Sequence, residues 1–161
     1  MSLLPLQIES KEKNPLLRAI AKEIPDSTTP DIQGLISDMQ ETLTKTTHGI
    51  GLAAPQVGVS VRLFIISPQL GTRQTVFINP LITQLGETRG YLEEGCLSLP
   101  GEYGKIMRST TLKITAHNQN GRIFKMRAEG LVAQVIQHEI DHLNGILFKD
   151  NAKDMKTSSV T

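Results

Sequence analysis

From Ile32 to Leu43 the apolar residues Ile32, Leu35, Ile36, Met39 and Leu43 recur with the spacing of one helical face, so the stretch after Thr29-Pro30-Asp31 reads as an amphipathic helix. A shorter helical turn is expected around Leu16 to Ala21. From Val61 to Ser67, Thr75 to Asn79 and Leu81 to Leu85 the apolar positions form short runs that read as strands. Leu112 to Asn118 and Arg122 to Arg127 read as a strand pair joined through Asn120-Gly121, a dipeptide suited to a tight hairpin turn. Helical spacing returns near the end. Leu131, Val135, His138 and His142 share one stripe, and Val132, Ile136, Ile140 and Leu143 share its neighbour, which describes a largely buried helix. Gly130 ahead of it and Asn144-Gly145 after it mark its limits. Together these elements predict an α+β fold: an N-terminal helix, then antiparallel or mixed sheets packed around a central C-terminal helix.

Composition narrows the picture without adding chemistry. The 161 residues fit one domain spanning 1–161, with a polar tail from about 149. Seventeen Lys plus Arg against 16 Asp plus Glu leave a net charge of +1, which offers no electrostatic case for binding DNA or a membrane. A single cysteine cannot form an internal disulfide. Met1 to Ile8 lacks a basic region, and no apolar run approaches spanning length, so a cytoplasmic protein is expected.

The chemistry lies in the last helix, in His138-Glu139-Ile140-Asp141-His142. Residues four apart on a helix are offset by only about 40°, so both imidazoles can reach one metal ion while Glu139 stands beside its water. A catalytic site of this kind needs a third protein ligand and an open position. Downstream there is none: Phe148 occupies the place of a third metzincin histidine, and no Glu, His or Cys follows Leu143. The third ligand therefore lies upstream, and the lone Cys96 is the best candidate, since a thiolate binds zinc or ferrous iron strongly. His48 and His117 are the competitors, but His48 precedes a glycine-rich turn and His117 sits in a strand-like run, so each reads as structural.

At this point the chain resembles the peptide deformylases. Their three signatures stand in order as Gly49-Ile50-Gly51-Leu52-Ala53-Ala54-Pro55-Gln56-Val57-Gly58, Glu94-Gly95-Cys96-Leu97-Ser98 and Gln137-His138-Glu139-Ile140-Asp141-His142, within residues 49 to 145. Outside that span the likeness loosens: Asn14-Pro15-Leu16-Leu17 follows the family's opening only approximately, Met107 stands where many members have proline, and the tail is too short for a further helix. The resemblance implies hydrolytic removal of the formyl group from the formyl-methionine terminus of newly made proteins. It implies that Cys96, His138 and His142 hold one divalent ion, ferrous iron in the cell with zinc, nickel or cobalt able to replace it. It makes Glu139 the general base, and the Gln56 amide with the Leu97 N–H the donors to the oxyanion. Gly51 and Gly95 would pair with an extended substrate, and Ile50, Leu92, Leu131 and Val135 would surround the methionine side chain. Helical spacing independently puts Leu131 and Val135 on the face of the two histidines.

Metal-bound histidines donate their second ring N–H to an acceptor, for which Glu94 is the best placed, with Asp141 and Arg108 as further candidates. The expected partners are formyl-methionyl nascent chains, with a transient ribosome contact and a monomeric enzyme. Two rival classes share the motif: a broad HExxH peptidase and a noncatalytic metal site. The second would need four protein ligands, and the sequence offers three.

Overall fold

The computed structural model describes residues 3–7, 14–46 and 49–157. In chain order its elements are α1 (Pro15–Arg18), α2 (Pro30–Lys45), β1 (Gly51–Ala53), β2 (Leu63–Ile66), β3 (Val76–Leu85), β4 (Arg89–Cys96), β5 (Leu99–Ser109), β6 (Thr111–His117), β7 (Ile123–Glu129), α3 (Gly130–Leu143) and β8 (Lys153–Thr157). The strands form a five-stranded sheet of order β1-β2-β3-β6-β7 and a three-stranded sheet of order β4-β5-β8. The strand pairs are antiparallel.

The expected α+β arrangement is present, and the apolar pattern explains its layers. All four residues of β2 are buried. Phe64 and Ile66 face one side with Phe77, Ile114, Val135, Ile136 and Leu143, so α3 packs there. Leu63 and Ile65 face the other with Ile36, Met39 and Leu43 of α2. The larger sheet is thus covered by a helix on each face. Phe64 and Phe77, opposite each other in register, stack with ring centroids 4.6 Å apart. Thr29 caps α2 by accepting the Ile32 N–H, and Pro30 occupies the first helical turn, where a missing N–H costs nothing.

Three departures from the sequence pattern have physical causes. The two runs on either side of Asn79-Pro80 form one strand, β3, because a register shift between Ile78 and Leu81 takes up the proline, which cannot donate to a regular ladder. Asn79 adopts φ +48° there, and its side chain holds both the N–H and the carbonyl of Ile24 at 2.8 Å. Strands β4 and β5 were not expected at all, because buried positions along them carry Glu94, Gly104 and Arg108 where a half-buried strand would show apolar residues. The polar tail also contains a strand, β8, whose five residues are exposed while its backbone pairs with β5.

Helix α3 stops where the sequence places its end. Gly145 has φ +73°, and a β-carbon at that position would overlap the Arg18 carbonyl. The glycine thereby lets the segment after α1 approach, and the Ala21 N–H donates to the Leu143 carbonyl at 2.9 Å.

Candidate active site

Cys96 ends β4, followed by the two-residue turn Leu97-Ser98 before β5 begins, and this turn brings the sulfur over α3. The Cys96 Sγ lies 3.2 Å from the His142 Nε2, and ligand atoms of Cys96, His138 and His142 all fall within 4.8 Å of one another. The sequence argument for a distant sulfur meeting two late imidazoles is therefore met geometrically. His117 lies elsewhere, beside Asn79 and Gly121, and His48 is outside the described residues.

A buried ionic network fixes this arrangement. Glu94, two residues before Cys96, accepts from the His138 Nδ1 at 2.7 Å, which aims the other ring nitrogen at the sulfur's side. Arg108 on β5 donates twice to Glu94, each at 2.8 Å, and once to Asp141 at 2.7 Å. The guanidinium therefore joins β4 to α3 between the two histidines. Burial alone would raise the Glu94 carboxyl, but hydrogen bonds from Arg108 and His138 outweigh it and hold the group at about 2. Gln134 adds a donor to Glu94 at 3.3 Å, and Gln137 holds both the N–H and the carbonyl of Ser109. Arg108 thus pairs with both acidic candidates of the sequence reading.

The two histidines are tuned in opposite senses. Burial drives His142 well below the ordinary histidine range, which keeps it neutral and able to donate a lone pair. Burial opposes charge on His138 too, yet hydrogen bonding to Cys96 and Glu94 prevails and lifts it well above that range. A sulfur and two imidazoles drawn together over a shared positive charge suit a borderline metal cation, which binds where the proton would sit.

Glu139 is 1% exposed, and its Oε2 has no hydrogen-bond partner among the described residues. Burial raises its carboxyl to about 7. A buried carboxyl with an unused oxygen beside an open cleft can exchange a proton near neutral pH. Gln56, 1% exposed, is held on a 3₁₀ turn spanning Ala54–Val57. Its Oε1 accepts the Ala53 N–H at 2.9 Å, and its Nε2 points to Cys96 Sγ at 3.5 Å and Ser98 Oγ at 3.3 Å.

These groups border a cleft of about 500 Å³ lined by Ile50, Gly51, Gly95, Leu97, Leu131 and Val135 among others, together with Gln56, Cys96, His138 and Glu139. Leu92 is half-buried on β4 and is not among the lining residues. Leu131, expected on a buried stripe, is 51% exposed because the first turn of α3 faces the open cleft. Gly51 has little room beside it: a β-carbon there would stand 2.9 Å from Val135 Cγ1 and 3.1 Å from Glu139 Cδ. Ser98, fully buried against Gln56, and the cleft residues Glu93, Glu102 and Tyr103 were missed from sequence. Ser98 lies inside the second signature, which was its only signal.

Fold and site together define an α+β metallohydrolase in which an HExxH helix is completed by a sulfur from a neighbouring sheet. A family model described as polypeptide deformylase matches residues 7–158. A peptide deformylase of Halothermothrix orenii is 44% identical over 145 residues, covering 90% of this chain and 92% of that protein. One from Acinetobacter baumannii is 42% identical over 161 residues, covering 99% and 89%. The crystal structure of the Thermotoga maritima peptide deformylase superposes with a TM-score of 0.85 at 35% identity, covering 94% of this chain and 98% of that one. That of a Synechococcus elongatus enzyme in complex with actinonin gives 0.85 at 36%, covering 94% and 79%. The chain belongs to the polypeptide deformylase family. It is a hydrolase that removes the formyl group from the N-terminal formyl-methionine of nascent proteins.

Proposed function

We propose that Cys96, His138 and His142 hold one divalent metal ion, ferrous iron in the cell, and that Glu139 is the general acid and base of deformylation. The observation that carries this reading is the convergence of the three ligand atoms next to a buried carboxyl with an unpartnered oxygen. When bound, the ion supplies Lewis acidity toward water and the formyl carbonyl. One thiolate and two imidazoles also accept zinc, nickel or cobalt, so identity rests on supply as much as on affinity.

The remaining steps belong to the chain. Glu139 Oε2 takes the proton of the attacking water and returns it to the methionine nitrogen as the C–N bond breaks, a transfer favoured by a carboxyl poised near the working pH. Gln56 Nε2 and the Leu97 N–H donate to the oxygen that gains charge, each worth about 3 kcal/mol. Ile50, Leu131 and Val135 enclose the unbranched methionine side chain, while Gly51 and Gly95 leave the backbone open to an extended peptide. The formyl carbon bears only hydrogen, so a narrow reaction cavity admits it and excludes acetyl. Every group named comes from one copy, so a monomer suffices, working in the cytoplasm in transient contact with ribosomes that present its substrate.

The test is purification under anaerobic conditions, with metal analysis and formyl-Met-Ala turnover on the same sample. We expect about one metal per chain, loss of activity on chelation and full recovery with ferrous ion. Turnover that survives complete metal removal would overturn the assignment.

A further inference from the structure

The cleft is charged in one sense only. Glu93, Glu94, Glu102 and Glu139 line it, and no lysine or arginine does so among the described residues. Arg108 neutralises Glu94, and Glu139 belongs to the reaction. That leaves Glu93 and Glu102, neither of which has an ion-pair partner within 4 Å among the described residues. Lys105 faces Glu93 across the β4–β5 pair but does not line the cleft.

Between these carboxylates stands Tyr103, opposite Gly95 in register and 39% exposed. Its ring lies against the bare backbone of Gly95, where a β-carbon would come 2.9 Å from Cε1. An aromatic ring beside two unneutralised carboxylates suits a flexible cationic side chain, which gains a cation–π contact and an ion pair together. The same sheet already makes one such contact, with Lys153 Nζ 3.7 Å from the Tyr91 ring centroid. That substrate occupies this cleft is indicated separately by the unpartnered Glu139 Oε2, on a side chain 1% exposed.

We propose that Tyr103, Glu93 and Glu102 determine specificity by favouring formylated chains with lysine or arginine at the first or second position after methionine. The inference rests on the deformylase reading and adds a preference that the metal site does not dictate. The test compares formyl-Met-Lys-Ala and formyl-Met-Ala-Lys with the same peptides bearing norleucine or glutamate in place of lysine. The metal-loaded wild type, the Glu93→Gln/Glu102→Gln pair and Tyr103→Leu are assayed at low and high salt. For at least one position, kcat/KM of the wild type should favour lysine over norleucine by roughly fivefold and disfavour glutamate. The difference should reside in KM and shrink at high salt, and the lysine-to-norleucine ratio should fall in both variants. Equal kcat/KM for lysine and norleucine at both positions, or a ratio unchanged in the double variant, overturns the proposal. Because each comparison is a ratio within one protein, a variant of reduced stability still reports. Failure of the wild type to turn over the norleucine peptides would instead count against the deformylase reading.

Discussion

Glu139 shows how much one side chain's surroundings decide. The same residue on an exposed helix face would be an ordinary carboxylate, whereas burial brings it to about 7 and leaves one oxygen unused. Glu139→Gln keeps the shape and removes the proton exchange, so deformylation should fall by roughly 100-fold or more while metal content stays unchanged. Full activity in that variant would remove the general base. Gln56→Ala should cost about 100-fold in kcat, because an oxyanion donor acts in the transition state. It should leave the metal in place, since Gln56 only approaches Cys96 from outside the three-ligand set. Gly51→Val would push into Val135 and Glu139, and we expect it to abolish turnover of formyl-Met-Ala.

Elements matter here through their junctions. Arg108 sits on β5, yet its partners lie on β4 and α3, so it fastens the small sheet to the metal helix. Removing one member of a buried ion network strands the others, typically at a cost of 3–5 kcal/mol. Arg108→Met should lower stability in urea titrations by about that amount and weaken metal retention during dialysis. Lys in its place would restore charge without the forked geometry and should recover only part of the loss. The other junction is the close of α3, where Gly145→Ala meets both the left-handed backbone and the Arg18 carbonyl. A destabilisation of about 1–2 kcal/mol or more is expected, read from the denaturation midpoint.

Across the whole molecule, the site is stabilised from two faces of the same sheet. Cutting Phe77 to alanine would empty the layer beneath α3 and should cost about 3–5 kcal/mol, with the metal site loosened in consequence. The pH dependence of stability follows from Glu94. Its carboxyl titrates near 4.5 when unfolded and near 2 when folded, so its contribution, about 3 kcal/mol, is complete above the unfolded value. It is lost as pH falls toward 2. Urea midpoints measured from pH 6 down to pH 2.5 should show this decline, and Glu94→Gln should flatten it.

Much of this protein can be read from its one-dimensional pattern. Helical spacing in Ile32 to Leu43 and in Leu131 to Leu143 marks α2 and α3, because a helix repeats its buried face every three to four residues whatever it packs against. The spacing of His138 and His142, with Glu139 between them, announces the chemistry for the same local reason. Strands β4 and β5 stay hidden because their buried positions hold an ion pair, and a Glu–Arg pair becomes a plausible interior only once both partners are brought together. The tertiary structure alone decides that Arg108 serves two carboxylates, that Leu92 misses the cleft and that Tyr103 lies against Gly95. Such contacts join residues far apart along the chain or across a sheet, where register, and not local periodicity, sets what touches what.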